Sequence, residues 1–292
     1  MKIGVSTYSF FNAIKSGELT EFDIISKAKV MGFEVIEFAG LSVPQGETAK
    51  SYATRIKEEC ARIGIEMGNY TIGADMINGS GGDFAAEINR LKGEVETAAI
   101  LGAPGMRHDA SVGFKPGHRG PRGFDDALPL LIKGCREVTE YAQGLGIRTM
   151  VENHGFFCQD SERVEKLVNG VNHENFGILL DMGNFLCADE EPVKAVARLA
   201  PYAVHVHVKD FHTKPGTLPY PGEGWFTSRG GNYLRGSIIG HGDVPVAQCL
   251  RIIKSAGYQG AISIEFEGLE HPLTGISLGL KNLRTLATLP TA

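Results

Sequence analysis

The chain has 292 residues, with 29 Lys and Arg against 34 Asp and Glu (formal charge −5), 42% hydrophobic residues and 22% charged ones. That balance excludes intrinsic disorder, and the mild acidity offers no basic surface for nucleic acid. No apolar run approaches the roughly 18 residues of a membrane span, and the N-terminal MKIGVSTYSFF lacks the apolar core and cleavage pattern of a secretory signal.

The first strand is predicted at 2–7 (KIGVST). The helix after it opens at Thr20-Glu-Phe-Asp23, which resembles a capping box with Asp where Glu or Gln is usual. It closes at Gly32, before a second strand at 34–38 (EVIEF). Gly64 and Gly102 end the next two helical stretches, before strands at 65–70 (IEMGNY) and 105–108 (GMRH). Residues 109–124 follow as a long connection carrying Lys115, His118, Arg119 and Arg122. Gly146 precedes the fifth strand at 147–152 (IRTMVE); the sixth and seventh are predicted at 176–181 (FGILLD) and 203–208 (AVHVHV). A second long loop, 211–240, holds the single Trp, Trp225. Gly257 precedes the last strand at 261–266 (AISIEF).

A repeated joint organises this pattern: an amphipathic segment, a left-handed Gly that stops it, then an apolar strand. It accounts for part of the 38 glycines, about 13% of the chain against a usual 7% or so. Short apolar strands alternating with helices imply a parallel sheet covered by helices. Eight such units form a single (β/α)₈ TIM barrel over 1–292, since no linker divides the chain and no G-x-G-x-x-G follows KIGVST. In a barrel both long loops lie on the C-terminal face, as candidate lids or pocket walls. The five cysteines form no C-x-x-C pair, which implies buried thiols in a reducing, cytoplasmic setting.

Chemistry is concentrated where the strands end. IRTMV stops at Glu152-Asn153-His154, FGILL at Asp181, and AISI at Glu265. AVHV places His205 and His207 at period two, with Lys209-Asp210 following. Carboxylates ending apolar strands are costly to bury unless a cation or hydrogen bonds compensate. Glu152, Asp181, His207 and Glu265 are therefore expected to hold one divalent metal ion: Mn²⁺, Mg²⁺, Co²⁺ or Zn²⁺. His205 is either a further ligand or a hydrogen-bonded core histidine. Lys209 reaches substrate oxygens or pairs with Asp210 or Asp181. Tyr8, Glu37, Tyr70 and His108 end the first four strands and are expected to line the same mouth, with His154; Tyr8 and Tyr70 are alternatively barrel core.

The stretches GVSTYSF, GFEVIEF, MVENHG, LLDMGNF, HVHVKD, GHGDVP and GAISIEFEG resemble, in order, the sugar-phosphate isomerase/epimerase superfamily of xylose-isomerase-like barrels. The resemblance implies metal ligands at Glu152, Asp181, His207 and Glu265, with the two Glu residues as the catalytic acid/base pair. It implies substrate contacts at Glu37 and at Arg235, shortly before Gly240-His241-Gly242. The sequence departs from the family at Asn184, where an Asp-x-x-His pattern would have His; Asn184, Trp225, His154 and Lys209 complete the expected substrate-binding set. The implied activity is isomerisation or epimerisation of a keto-sugar or related polyhydroxy ketone, by Glu-mediated proton transfer through a metal-stabilised cis-enediolate. An inosose-type dehydratase on the same site is the alternative; an endonuclease-four-like phosphodiesterase and a non-catalytic sugar-binding barrel are weaker ones. The expected partner is a small sugar or polyol-derived molecule, with no nucleic acid and no membrane, and a homo-oligomer is left open.

Overall fold

The computed structural model describes residues 1–288. The eight expected strands are present as β1 (Ile3–Ser6), β2 (Val35–Ala39), β3 (Glu66–Ile72), β4 (Gly105–His108), β5 (Arg148–Glu152), β6 (Phe176–Asp181), β7 (Ala203–Val208) and β11 (Ile262–Ile264). They close a parallel barrel in the order β1-β11-β7-β6-β5-β4-β3-β2, with β1 pairing β11 through Ile3 and Ile262. Around it lie α1 (Phe11–Lys15), α2 (Glu21–Met31), α3 (Ala49–Ile63), α4 (Phe84–Leu101), α5 (Phe124–Gln143), α6 (Ser161–Val171), α7 (Pro192–Leu199), α8 (Val246–Ser255) and α9 (Pro272–Thr288). Among the described residues no helix is long and apolar enough to cross a membrane.

Local signals act where they were read. Thr20 Oγ1 accepts from the Asp23 N–H and Asp23 Oδ2 accepts from the Thr20 N–H, at 3.2 and 2.9 Å, which fixes the start of α2. Gly32, Gly64 and Gly102 cap α2, α3 and α4 in the left-handed conformation. Gly146 and Gly257 are also left-handed but fall just past the caps of α5 and α8, which are Gly144 and Ala256.

One long loop is not a loop. Within 210–240 the chain builds a three-stranded antiparallel sheet, β8 (Asp210–Lys214), β9 (Phe226–Thr227) and β10 (Tyr233–Ser237), in the order β8-β10-β9. It has a small apolar cluster of its own, Cys187, Phe211 and Leu234. Residues 109–123 contain no helix or strand.

Register positions the site. Asp181 and His207 are directly paired neighbours on β6 and β7, and Glu152 pairs with Leu179 across β5 and β6. The polar ends of these strands therefore meet at one mouth. All five cysteines are free and buried.

Candidate active site and metal centre

Glu152, Asp181, His207 and Glu265 converge: one donor atom from each lies within 4.8 Å of all the others. Metal–ligand distances of about 2.0–2.6 Å place the ligands of one ion within roughly 4–5 Å of each other, so the spacing fits a single cation. Two of the donors, Asp181 Oδ2 and His207 Nδ1, are buried with no hydrogen-bond partner. Polar atoms in that position are normally satisfied. The four side chains could hold a metal ion, and an oxygen-rich set of this kind suits a hard or borderline divalent metal.

Each ligand is held from behind. Asp181 Oδ1 accepts from the N–H groups of Gly183 and Asn184, at 2.8 and 3.0 Å, so it caps the following turn while Oδ2 stays free. The Asn153 side chain spans from β5 to β6, donating to the Asp181 carbonyl at 2.8 Å and accepting from its N–H at 2.9 Å. His207 Nε2 bonds a carboxylate oxygen of Glu37, which leaves Nδ1 pointing to Glu265 Oε1 at 3.5 Å and Asp181 Oδ2 at 4.0 Å. A carboxylate behind the imidazole fixes its tautomer and raises its basicity as a ligand.

Cations stand among the carboxylates. Lys209 Nζ lies 2.7 Å from Glu265 Oε2, 3.2 Å from Glu267 Oε1 and 3.6 Å from Asp181 Oδ2. Burial disfavours its charge, but these carboxylates hold it well above its ordinary value. Glu265 is held well below its own, Lys209 and His207 outweighing burial. Burial pushes the Asp181 carboxyl up to about 6, with Lys209 pulling against it and Glu152 and Glu265 adding to it. Arg107 Nε pairs with Glu152 Oε2 at 2.6 Å, and Arg107 Nη2 with Asp109 Oδ1 at 2.8 Å. Asn184 Nδ2 donates to Glu152 Oε1 at 2.9 Å while its Oδ1 accepts from Lys209 Nζ at 3.2 Å. Asn184 thus ties the ends of β5 and β7 together.

The centre opens into a cavity of about 500 Å³. Tyr8, His154 and Lys209 line it as expected. His154 Nδ1 donates to Asp109 Oδ1 at 2.8 Å, and burial is outweighed by that carboxylate, so its pKa is raised.

Other expected contacts lie elsewhere. Glu37 is fully buried inside the barrel, pairing with both His205 (2.7 Å) and His207, and does not reach the cavity. Burial would raise its pKa, but the two histidines hold it down at about 2. His205 is thus buried against Glu37, and Glu37, His205 and His207 form a second group close enough to hold a metal ion. Asn184 also stays behind the cavity wall, organising Glu152 and Lys209. His108 is fully buried on the opposite face of β4 from Arg107; its Nδ1 bonds the Asp109 carbonyl at 2.8 Å and its ring packs near Phe176. Period-two alternation sends the neighbouring Arg107 to the mouth instead. Trp225 and Arg235 meet on the small sheet, the guanidinium 5.4 Å from the indole centre, with Lys214 on the same ring at 5.5 Å. Neither lines the cavity, and nor do residues 109–124 or 211–240. Lys209 pairs with Asp181, not with Asp210. The residues that sequence reasoning passed over are Arg107, Asp109, Asn153, Glu267, Arg90 and Glu94.

An eight-stranded α/β barrel with a buried Glu/Asp/His cluster that could hold a metal ion, at the C-terminal ends of its strands, defines the class. A family model described as xylose isomerase-like TIM barrel matches residues 25–286, and the chain belongs to that family. Among curated proteins it is similar to the rhizopine catabolism protein MocC of Rhizobium meliloti, 29% identical over 168 residues (52% of this chain, 48% of the relative). It is similar also to inosose dehydratase 1 of Bacillus cereus, 25% identical over 138 residues (47% and 46%). These matches span about half the length of either relative. Among solved structures, an IOLI protein with a bound zinc atom shares the fold at a TM-score of 0.74 and 15% identity, covering 99% of this chain and 98% of that one.

Proposed function

We propose that the protein is a divalent-metal-dependent isomerase or epimerase acting on a small polyhydroxy ketone. The observation that carries this reading is the pair Glu152 and Glu265, which line the cavity, within 4.8 Å of two buried donors behind its wall, Asp181 and His207. A divalent cation bound by these four residues would polarise the substrate carbonyl and acidify the adjacent C–H. One of the two Glu carboxylates takes that proton as general base, and the other returns a proton. Return to the opposite face of the same carbon inverts it; return to the neighbouring carbon isomerises the sugar. Lys209 keeps Glu265 ionised, and Arg107 with Asn184 fixes the plane of the Glu152 carboxylate.

Dehydration is the second reading. It is favoured by the similarity to an inosose dehydratase and by proton donors in the cavity wall. Tyr8, His154 and Lys209 each present an O–H or N–H there, a source of the proton that a departing hydroxyl needs. Keto-sugars and inososes incubated in D₂O with Mn²⁺ separate the outcomes. Deuterium at the carbon next to the carbonyl without loss of mass supports epimerisation or isomerisation. Loss of water supports dehydration. Neither result with any substrate of this class removes the proposal.

The ion should also appear in stability. Mn²⁺ at about a hundredfold over its Kd is expected to stabilise the fold by about 2.7 kcal/mol, read as a rise in Tm. Asp181→Asn should abolish that rise, and a chelator should reverse it in the unsubstituted protein.

A further inference from the structure

The cavity does not end at the metal centre. It continues from Glu152, Lys209 and Glu265 to Arg90 and Glu94, on the flank where α4 packs against β3. A carbonyl and one neighbouring hydroxyl engage only the first end. A volume of about 500 Å³ is within the range that encloses a much larger ligand.

That end presents a donor and an acceptor on side chains partly open to solvent, Arg90 at 40% and Glu94 at 29% exposure. Glu94 Oε2 accepts from the Tyr70 hydroxyl at 2.9 Å, which leaves Oε1 beside Arg90 Nη1 at 3.8 Å. Arg90 is fixed by its other nitrogens: Nε and Nη2 donate to the buried Glu87 at 3.0 and 2.6 Å, and Nη2 also to the Gly73 carbonyl at 2.8 Å. Nη1 is therefore a held donor, and Glu94 Oε1 a held acceptor. At 3.8 Å they are too far apart to bond each other. A hydroxyl both accepts and donates, so one hydroxyl placed between them would satisfy both.

We propose that the Arg90–Glu94 end of the cavity is a second binding subsite, one that takes an uncharged hydroxyl-bearing part of the substrate beyond the carbons held at the metal centre. The inference rests on the polyhydroxy-ketone reading of that centre and narrows it. A phosphate is disfavoured here: the Arg90 charge is already paired with Glu87, and a dianion would face Glu94. The basic stretch from Lys115 to Arg122 lies outside these walls. The substrate is thus a free polyol ketone long enough to carry hydroxyls at both ends, not its phosphate ester.

Isothermal titration of the full chain loaded with Mn²⁺ tests this with three probes: dihydroxyacetone, D-fructose and D-fructose 6-phosphate. The unsubstituted protein should bind fructose at least about tenfold more tightly than dihydroxyacetone, and fructose 6-phosphate no more tightly than fructose. Glu94→Gln keeps an acceptor for Tyr70 and turns a donor toward Arg90. It should weaken fructose about tenfold and leave dihydroxyacetone unchanged; Glu94→Ala should do the same. Equal loss for both ketones, no loss, tighter binding of the phosphate, or no binding of either ketone overturns the subsite. The readout is separable from catalysis. Fructose bound through Glu94 without deuterium exchange refutes the catalytic reading alone, and exchange with unchanged affinity in Glu94→Gln refutes the subsite alone.

Discussion

Glu152→Gln is expected to lower solvent-deuterium exchange into a keto-sugar by about 10²–10⁴-fold, the range for loss of a positioned general acid or base, while the barrel stays folded. The amide is the same shape as the carboxylate and cannot take a proton at neutral pH. Its surroundings tolerate the swap. Arg107 loses one partner but keeps Asp109 at 2.8 Å and the Ile72 carbonyl at 3.1 Å, so the buried guanidinium is not stranded. Asn184 keeps its bond, because the Gln carbonyl oxygen can take the place of Oε1 as acceptor. A stability loss of about 1–2 kcal/mol is expected from the weakened bonds, measured by urea unfolding beside the exchange assay. The two readouts decide the role together. Exchange within a few-fold of the unsubstituted protein would take Glu152 out of the chemistry, and a collapse of the fold would make its role structural.

Much of the barrel was legible because the sequence states it locally. Each strand is a short apolar run, and most are preceded by a helix-stopping Gly, so strand positions agree with the structure to within a residue or two. The four converging donors were legible for a related reason. An acid or His that ends a buried apolar strand has no solvent to face, and parallel register brings such ends together. What was missed depended on information the local pattern lacks. In GMRH both His108 and Arg107 are buried, so polarity does not say which one points into the mouth. The role of Glu37 is set by histidines 168 and 170 positions further on, across the barrel interior. The small sheet was invisible because β8 pairs with β10 across some twenty residues of turn-forming sequence, with Phe211 and Leu234 covering Cys187 from outside the barrel repeat. Trp225 is expected at the mouth from its place in a loop and Arg235 from the resemblance, whereas their packing on each other depends on that sheet.

Asp210→Asn is expected to destabilise the protein by about 3–5 kcal/mol, although Asp210 is neither a ligand nor a cavity residue. Its carboxylate is buried and accepts four backbone N–H groups: Phe211 at 2.9 Å and Val244 at 3.1 Å through Oδ1, Gly240 and Gly242 at 2.9 Å each through Oδ2. The chain is wrapped so closely there that a Cβ on Gly242 would fall 2.2 Å from Asp210 Oδ1. An amide nitrogen replacing either oxygen would turn a donor toward two donors. At about 1–3 kcal/mol for each buried group left without a partner, two such losses amount to about 2–6 kcal/mol, which brackets the expected value. Asp243 provides the contrast. It accepts from the Thr213 N–H and hydroxyl at 2.6 and 2.8 Å but is exposed, so water can replace a lost bond and Asp243→Asn should stay within about 1 kcal/mol. Urea unfolding of both variants measures the difference. The loss should also reach catalysis, because Asp210 directly follows Lys209 and anchors the start of β8. Deuterium exchange should therefore fall in Asp210→Asn even at temperatures where the variant remains folded. A variant as stable as the unsubstituted protein would mean that the turn from Gly240 to Val244 holds itself together, and that the position of Lys209 is set by its carboxylates alone.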